Sequence, residues 1–402
     1  MNDRLRFHWS ILQGLDGSLA GASAHDVLAR AGWMRTVGGA GPYLGLHARA
    51  GLSRAAVDAA VAAGDICELP SARGCTYLVP RADYALALRL GQGKSEATEI
   101  SNAKKLGATD AELDRLHTKI LDALGAGPLE PKELKDACGD AVRSFGDEGK
   151  KKGMTTTLPV GLGWLQSRGL IRRIPVNGRL DAQRFAYARW SPSPLDGVTL
   201  ADDEVAYEIT RRFFDWIGVS SLDQLAWWTG LTKRACKQAL SDLGVEPLVI
   251  EGDQLAAETA RLAFERAPVP SVPDIRLVGS LDNLFHLRRE IAPHVHPDDA
   301  AQPVAGGGFT TVQRGEQVSS VLDLPHHAVV DRGRIVGVWD YDADRGEVVA
   351  RAFQPSDGFT AAVARTERFV REELGDARAF SLDTMTAKGR GNRAERLAVL
   401  RG

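Results

Sequence analysis

The chain has 402 residues, 44% of them hydrophobic and 25% charged, which excludes a largely disordered or fibrous protein and bounds the domain count at about two to four. Its net charge of -2 excludes an attraction to nucleic acid spread over the whole surface, so any such binding must rest on local clusters. No apolar run approaches the ~18 residues of a membrane span, and MNDRLRFHWSILQGL carries charges where a secretion signal needs an apolar core, so a cytoplasmic protein is expected.

In chain order, residues 1–95 carry ASAHDVLARAG, GPYLGLHARAG and SRAAVDAAVAAGDI, read as three helices, and then ELPSARGCTYLV, read as a hairpin. Residues 96–195 repeat that order more clearly. In ELDRLHTKILDALG, Leu113, Leu116, Ile120, Leu121 and Leu124 share one helical face, and Gly125 and Gly127 end the helix. EPKELKDACG forms a second helix. A basic connection leads to TTTLPVGLGWLQSRG, where Thr155, Thr156 and Thr157 are expected to cap a third. LIRRIPV and QRFAYARW follow as strands joined by a turn at Asn177 and Gly178. Three helices closed by a β-hairpin is the order of a winged helix.

Residues 196–269 give the same order in EVAYEITRRFFDWIG, SLDQLAWWTG and TKRACKQALSDLG, with a short hairpin, EPLVIEGDQLAA, turning at Gly252 and Asp253. Pro268, Pro270 and Pro273 mark a linker. Beyond it, SVLDLPHHAVVD and RIVGVWDYD read as strands separated by the turns DRGR and DADRGE, and FTAAVARTERFVREELG reads as a helix before a basic tail. Residues 270–402 are therefore expected to be an α+β domain whose strand order the pattern does not reveal. The fold class is mainly α with β-hairpins: three tandem winged helix-turn-helix units and a C-terminal α+β domain.

From Lys150 to Trp190 there are nine lysines and arginines against one acid, Asp181, and the tail from Met385 carries Lys388, Arg390, Arg393, Arg396 and Arg401 against Glu395. Thr155, Thr156 and Thr157 at the start of a recognition helix, with Arg172, Arg173, Arg179 and Arg184 on the wing, suit phosphate contacts. Arg35, Arg73, Arg332, Arg334, Lys388, Arg390 and Arg393 join them as expected DNA contacts. The competing reading is that the threonines only cap a helix and the arginines only solvate a surface. Trp227 and Trp228 could stack on bases, although adjacent helical residues face different ways and at least one belongs to the core. Cys67, Cys75, Cys138 and Cys236 are scattered, and neither His294 with His296 nor His326 with His327 has partners at ligand spacing, so neither metal nor cofactor is expected.

Several segments resemble the winged-helix bacterial DNA glycosylases that excise alkylated bases and unhook interstrand crosslinks: VGGAGPYLGLHARAG, ARGCTYLVPRADY, LDQLAWWTGL, SLDNLFHLRRE and VVDRGRIVGVWDYD, in the family's order and through most of the chain. The resemblance implies tandem winged helices and hydrolysis of the bond between a modified base and deoxyribose, without a metal. It also exposes a departure. Where the family carries a glutamine, an apolar residue and a second glutamine or an aspartate, this chain carries Met34, Arg35 and Thr36. Thr36 can hydrogen-bond a water but is no base at neutral pH, Met34 can do neither, and Arg35 suits a phosphate or an abasic site. If the chemistry has moved, Asp282, in the segment resembling the family's acidic one, is the carboxylate candidate; its alternative role is a turn or cap. The expected partner is double-stranded DNA, possibly damaged, bound by a monomer, since three unequal winged helices in one chain can follow DNA without a dimer. The alternatives are a non-catalytic DNA binder, a transcriptional regulator or a protein-interaction scaffold.

Overall fold

The computed structural model describes residues 3–94, 96–182, 184–248, 253–266, 268–305 and 315–402. The protein is mixed α+β, mainly helical with small antiparallel sheets. It divides into two compact units, a middle one of Cys67–Val205 and a larger one of Met1–Ile66 with Ala206–Gly402.

The first elements are α1 (Asp3–Leu12), α2 (Ala24–Ala31), β1 (Met34–Arg35), α3 (Gly41–Ala50), α4 (Arg54–Ala63) and the hairpin strands β2 (Ile66–Pro70) and β3 (Thr76–Pro80). Ser23 and Ser53 start α2 and α4 by accepting from the backbone N–H three residues on, at 3.1 and 3.2 Å. Between β2 and β3 the chain reverses through Arg73 and Gly74, both at positive φ (56° and 70°).

In the middle unit follow α5 (Tyr84–Gly91), α6 (Ala97–Lys105), α7 (Asp110–Ala123), α8 (Pro131–Cys138), α9 (Gly146–Lys151), α10 (Leu158–Ser167), β4 (Ile171–Pro175) and β5 (Phe185–Arg189). A capping box opens α7: the Glu112 N–H donates to Thr109 Oγ1 at 3.2 Å and the Thr109 N–H to Glu112 Oε2 at 2.8 Å. Leu116, Ile120 and Leu124 then pack on Leu134, Leu162, Leu165 and Ile171. Leu113 joins a separate cluster with Ala103, Phe145 and Val160, and Leu121 is half-buried. Strands β4 and β5 pair from Ile171 opposite Arg189 to Pro175 opposite Phe185, and Leu129 bridges Tyr187. Gly178 supplies the positive φ (76°) of the turn. The threonine cap requires correction. Thr157 precedes α10 in a helical conformation and makes no side-chain cap; its hydroxyl accepts from the Arg143 N–H at 3.0 Å, because an antiparallel backbone contact with Arg143 reaches it first.

The chain then forms α11 (Asp202–Ile217), β6 (Val219–Ser220), α12 (Leu222–Thr229), α13 (Lys233–Asp242), β7 (Glu246–Pro247), β8 (Leu255–Ala256) and α14 (Glu258–Arg266). Strand β8 pairs with both β6 and β7; Gly252, assigned to the turn, lies outside the described residues. Thus the order helix, short strand, helix, helix, hairpin occurs three times, at α2–β3, α7–β5 and α11–β8, with Leu129 standing for the short strand in the second and α9 added.

The last elements are β9 (Ile275–Val278), α15 (Asn283–His286), β10 (His327–Asp331), β11 (Arg334–Asp342), β12 (Glu347–Ala352), α16 (Phe359–Phe369), α17 (Leu382–Met385) and α18 (Ala387–Arg401). Their sheet is antiparallel in the order β12-β11-β10-β9. The expected strand over SVLDLPHHAVVD begins only at His327, after Pro325, which has no N–H to give to a ladder. Leu5 and Trp9 of α1, Val219 of β6 and Phe264 of α14 share one core with Val278, Phe285, Val330, Ile335 and Val338, so residues on both sides of Pro268 are buried together. No helix among the described residues is long and apolar enough to cross a membrane.

Candidate functional site

In the larger unit, β1 leads through a glycine-rich loop into α3. Two close approaches fix that loop. A Cβ on Gly39 would stand 2.3 Å from the Ala379 carbonyl oxygen, and the Ala40 N–H donates to Arg378 O at 2.9 Å while the Ser381 N–H donates to Val37 O at 3.2 Å. On the other side, the turn after β9 is tied down by the Ser280 N–H, which donates to His327 Nδ1 at 3.0 Å, and by the Asp282 N–H, which donates to Gly279 O at 3.1 Å.

The two segments meet in a cleft lined by Met34, Arg35 and Val37 on one side and Ser280, Asp282 and Asn283 on the other, with His327 alongside. Its cavity of about 20 Å³ has room for one water and is far below the ~300 Å³ of a typical ligand pocket. The structure therefore brings Arg35 and Asp282 together. Thr36, between the lining residues Arg35 and Val37, is 8% exposed, and its hydroxyl has no hydrogen-bond partner among the described residues.

Asp282 is fully engaged. It caps α15 by accepting from the Leu284 N–H at 2.9 Å, and its two oxygens each accept from Arg49 at 2.7 Å. Arg49 in turn donates to Gln13 O and Gly45 O. His327 is engaged as well: Nδ1 takes the Ser280 N–H and Nε2 lies 2.7 Å from Ala377 O, while burial lowers its pKa, so the ring is neutral and carries its proton on Nε2. Asn283, 1% exposed, donates both amide hydrogens, to Ala31 O and Gly32 O at 2.9 Å each.

The sequence reading missed Arg49 and Asn283. For Arg49 a signal existed: Pro42, Leu46 and Arg49 recur at helical spacing, which puts a charge on the buried face of α3. For Asn283 there was none beyond its adjacency to Asp282.

The basic residues divide into outward and inward sets. Thr155 is exposed and Thr156 half-buried in a bridge to Ser144. Arg172 lies over the Trp190 ring at 5.0 Å, and Arg173 lies over Phe185 at 4.6 Å and 3.6 Å from Glu68. Arg179 is clamped on buried Asp181 at 2.7 and 2.9 Å. Arg184 reaches Glu130 yet keeps 69% of its side chain exposed, and Lys151, Lys152 and Arg189 are exposed too. Arg73, at the β2–β3 turn, is half-buried. Arg332 pairs with Asp331 and Arg334 with buried Asp299, both at 2.6 Å. Lys388 and Arg390 are exposed on α18, but Arg393 is turned inward, onto Asp376 and Tyr341 O. Trp228 is fully buried, and Trp227 packs between His286 and Arg289. No cluster of three or more His, Cys, Asp or Glu that could hold a metal occurs among the described residues.

With the cleft between the segment at 34–42 and the acidic turn at 280–283 in place on a chain of this repeated helix and hairpin order, the family can be stated: the model of the family described as DNA glycosylase AlkZ-like matches residues 28–380, and the chain belongs to that family. Among solved structures it is similar to Streptomyces sahachiroi DNA glycosylase AlkZ, at 17% identity and a TM-score of 0.66, over 94% of this chain and 98% of that one. At that identity the likeness establishes the fold. A search among curated proteins gave no match.

Proposed function

We propose that this protein binds damaged double-stranded DNA as a monomer, through winged helices within residues 1–95, 96–195 and 196–269, and hydrolyses the bond between an alkylated base and its deoxyribose. The observation that carries this reading is the cleft, in which the positions where the family carries its catalytic residues and the turn that resembles its acidic segment converge although 233 residues separate Arg49 from Asp282. The repeated helix and hairpin order supports the winged-helix part, and the exposed Lys151, Lys152, Arg184 and Arg189 near the second hairpin support backbone binding.

An alkylated purine is cationic and leaves as a neutral base, so the reaction asks for a water held at the anomeric carbon more than for a strong acid. Arg35 suits the phosphate beside the lesion. Asp282, held by Arg49 and capping α15, acts by positioning the 280–283 turn. A second reading, damage recognition without cleavage, draws on Met34 and Thr36, which offer neither an amide nor a carboxylate.

The test is to incubate the purified chain with duplexes carrying methylated or crosslinked purines and to score binding and base release in the same samples. Release is the expected result. Tight binding with every lesion intact would favour the second reading, and selection of one reproducible operator from random DNA would favour a transcriptional regulator over both.

A further inference from the structure

Beside the cleft, Thr36 Oγ1 and Asn283 Oδ1 make no hydrogen bond among the described residues, and of the two only the Asn283 oxygen is held in a fixed direction. Asn283 spends both amide hydrogens on Ala31 O and Gly32 O, at 2.9 Å each, which determines which way its amide points. Its Oδ1 is buried and accepts no hydrogen bond among the described residues. A buried amide oxygen without a donor is costly, so native proteins keep such an atom where a water or ligand serves it. The neighbouring cavity has the volume of one water. The other orphan, Thr36 Oγ1, can rotate its proton and accept or donate.

We propose that Asn283 Oδ1 holds the attacking water of the cleft, taking the part for which Met34 has no polar group and Thr36 only a hydroxyl that rotates. This rests on the glycosylase reading above. The water donates one hydrogen to Asn283 Oδ1, which turns an oxygen lone pair toward the substrate. As the bond from the anomeric carbon to the base nitrogen breaks, its electron pair leaves with the cationic base, which departs neutral. The water oxygen then bonds to the anomeric carbon and releases its remaining surplus proton to solvent. No general base is required, which agrees with a site whose carboxylate, Asp282, is held by Arg49 and whose imidazole, His327, is committed on both nitrogens. Asn283 also explains why the turn after β9 must be rigid: the amide is useful only while its direction is fixed.

Asn283→Ala is the direct test, read with a duplex containing a single N7-methylguanine. The single-turnover rate at saturating protein should fall about 100-fold, the size expected when a reacting group loses its position, while the Kd for the duplex stays within about twofold. A high-resolution crystal structure of the wild type should show a water within hydrogen-bond distance of Asn283 Oδ1. Since the alanine also removes the bonds to Ala31 and Gly32, Val37→Leu provides a second route: it adds a methylene to a cavity that holds one water, and should slow release without weakening binding. A wild-type rate in either folded variant, or a cleft with no water at Oδ1, overturns the assignment and leaves the glycosylase reading intact. Absence of base release by the wild type, across methylated and crosslinked duplexes, overturns both.

Discussion

Arg49 and Asp282 form a two-pronged ion pair, Nη1 and Nη2 each 2.7 Å from a carboxylate oxygen, with neither side chain more than 2% exposed. The pair ties α3 to the turn after β9 and so holds the two sides of the cleft in register. Removing one partner leaves the other charged and buried, which typically costs about 3–5 kcal/mol. Arg49→Met should lower stability by that order in urea unfolding. Adding Asp282→Asn, which keeps the cap on Leu284 and removes the stranded charge, should restore most of the loss; equal instability of the single and double variants would refute the charge explanation.

Acid should destabilise the protein well before its carboxylates titrate. Burial, and then the charge of Arg288, lower the His8 pKa from 6.5 to about 4, and burial holds His294 well below its ordinary value. Above pH ~6.5 both rings are neutral folded or unfolded and nothing is lost. As pH falls below that, the unfolded chain takes up protons that the native state refuses, so stability declines, by about 3 kcal/mol for His8 once pH has passed through about 4. Urea midpoints followed from neutral pH downward check the slope, and His8→Gln should flatten it by one proton's share.

Two arginines of the second hairpin should behave oppositely. Arg184 is 69% exposed, so Arg184→Ala should weaken duplex binding and reduce the slope of log K against log salt by about 1. Arg179 is clamped to Asp181, which is 3% exposed in its side chain, so Arg179→Ala should lower the melting temperature and leave the salt slope alone. A salt slope that responds to Arg179 instead would reverse the assignment of the two.

The last helix is held by a buried charge cluster. Arg396 contacts Asp340 and Asp383, and Asp340 also accepts from His326 at 2.7 Å. Burial alone would raise the Asp340 pKa, but Arg396 and His326 bring it down to about 2. Arg396→Leu should cost about 3 kcal/mol and speed amide exchange along α18 more than in α7; uniform exchange in wild type and variant would show that the cluster does not anchor the helix.

What could be read from the sequence was local. The face of α7 and the turn at Gly178 follow from helical periodicity and from a residue that tolerates positive φ, and the structure has both. Counting charges worked less well. The tail looked like a basic island because its partners are distant in sequence: Asp340 lies 56 residues before Arg396, and Asp342 lies 59 before Arg401. Likewise, the resemblance singled out residues 34–36 and Asp282 separately, while their convergence in one cleft depends on the packing of α3 against β9, which no spacing encodes. Thr157 failed as a cap for the same reason, a tertiary contact with Arg143 that local propensity could not anticipate.

The division of the chain also sets a schedule for synthesis. Cys67–Val205 is one uninterrupted stretch and can close as soon as it has emerged from the ribosome, whereas Met1–Ile66 must wait for Ala206–Gly402. Arg49 is made early and meets Asp282 late. Until then its guanidinium remains solvated and α3 lacks its packing against β9, so the cleft is the part of the newborn protein that matures last.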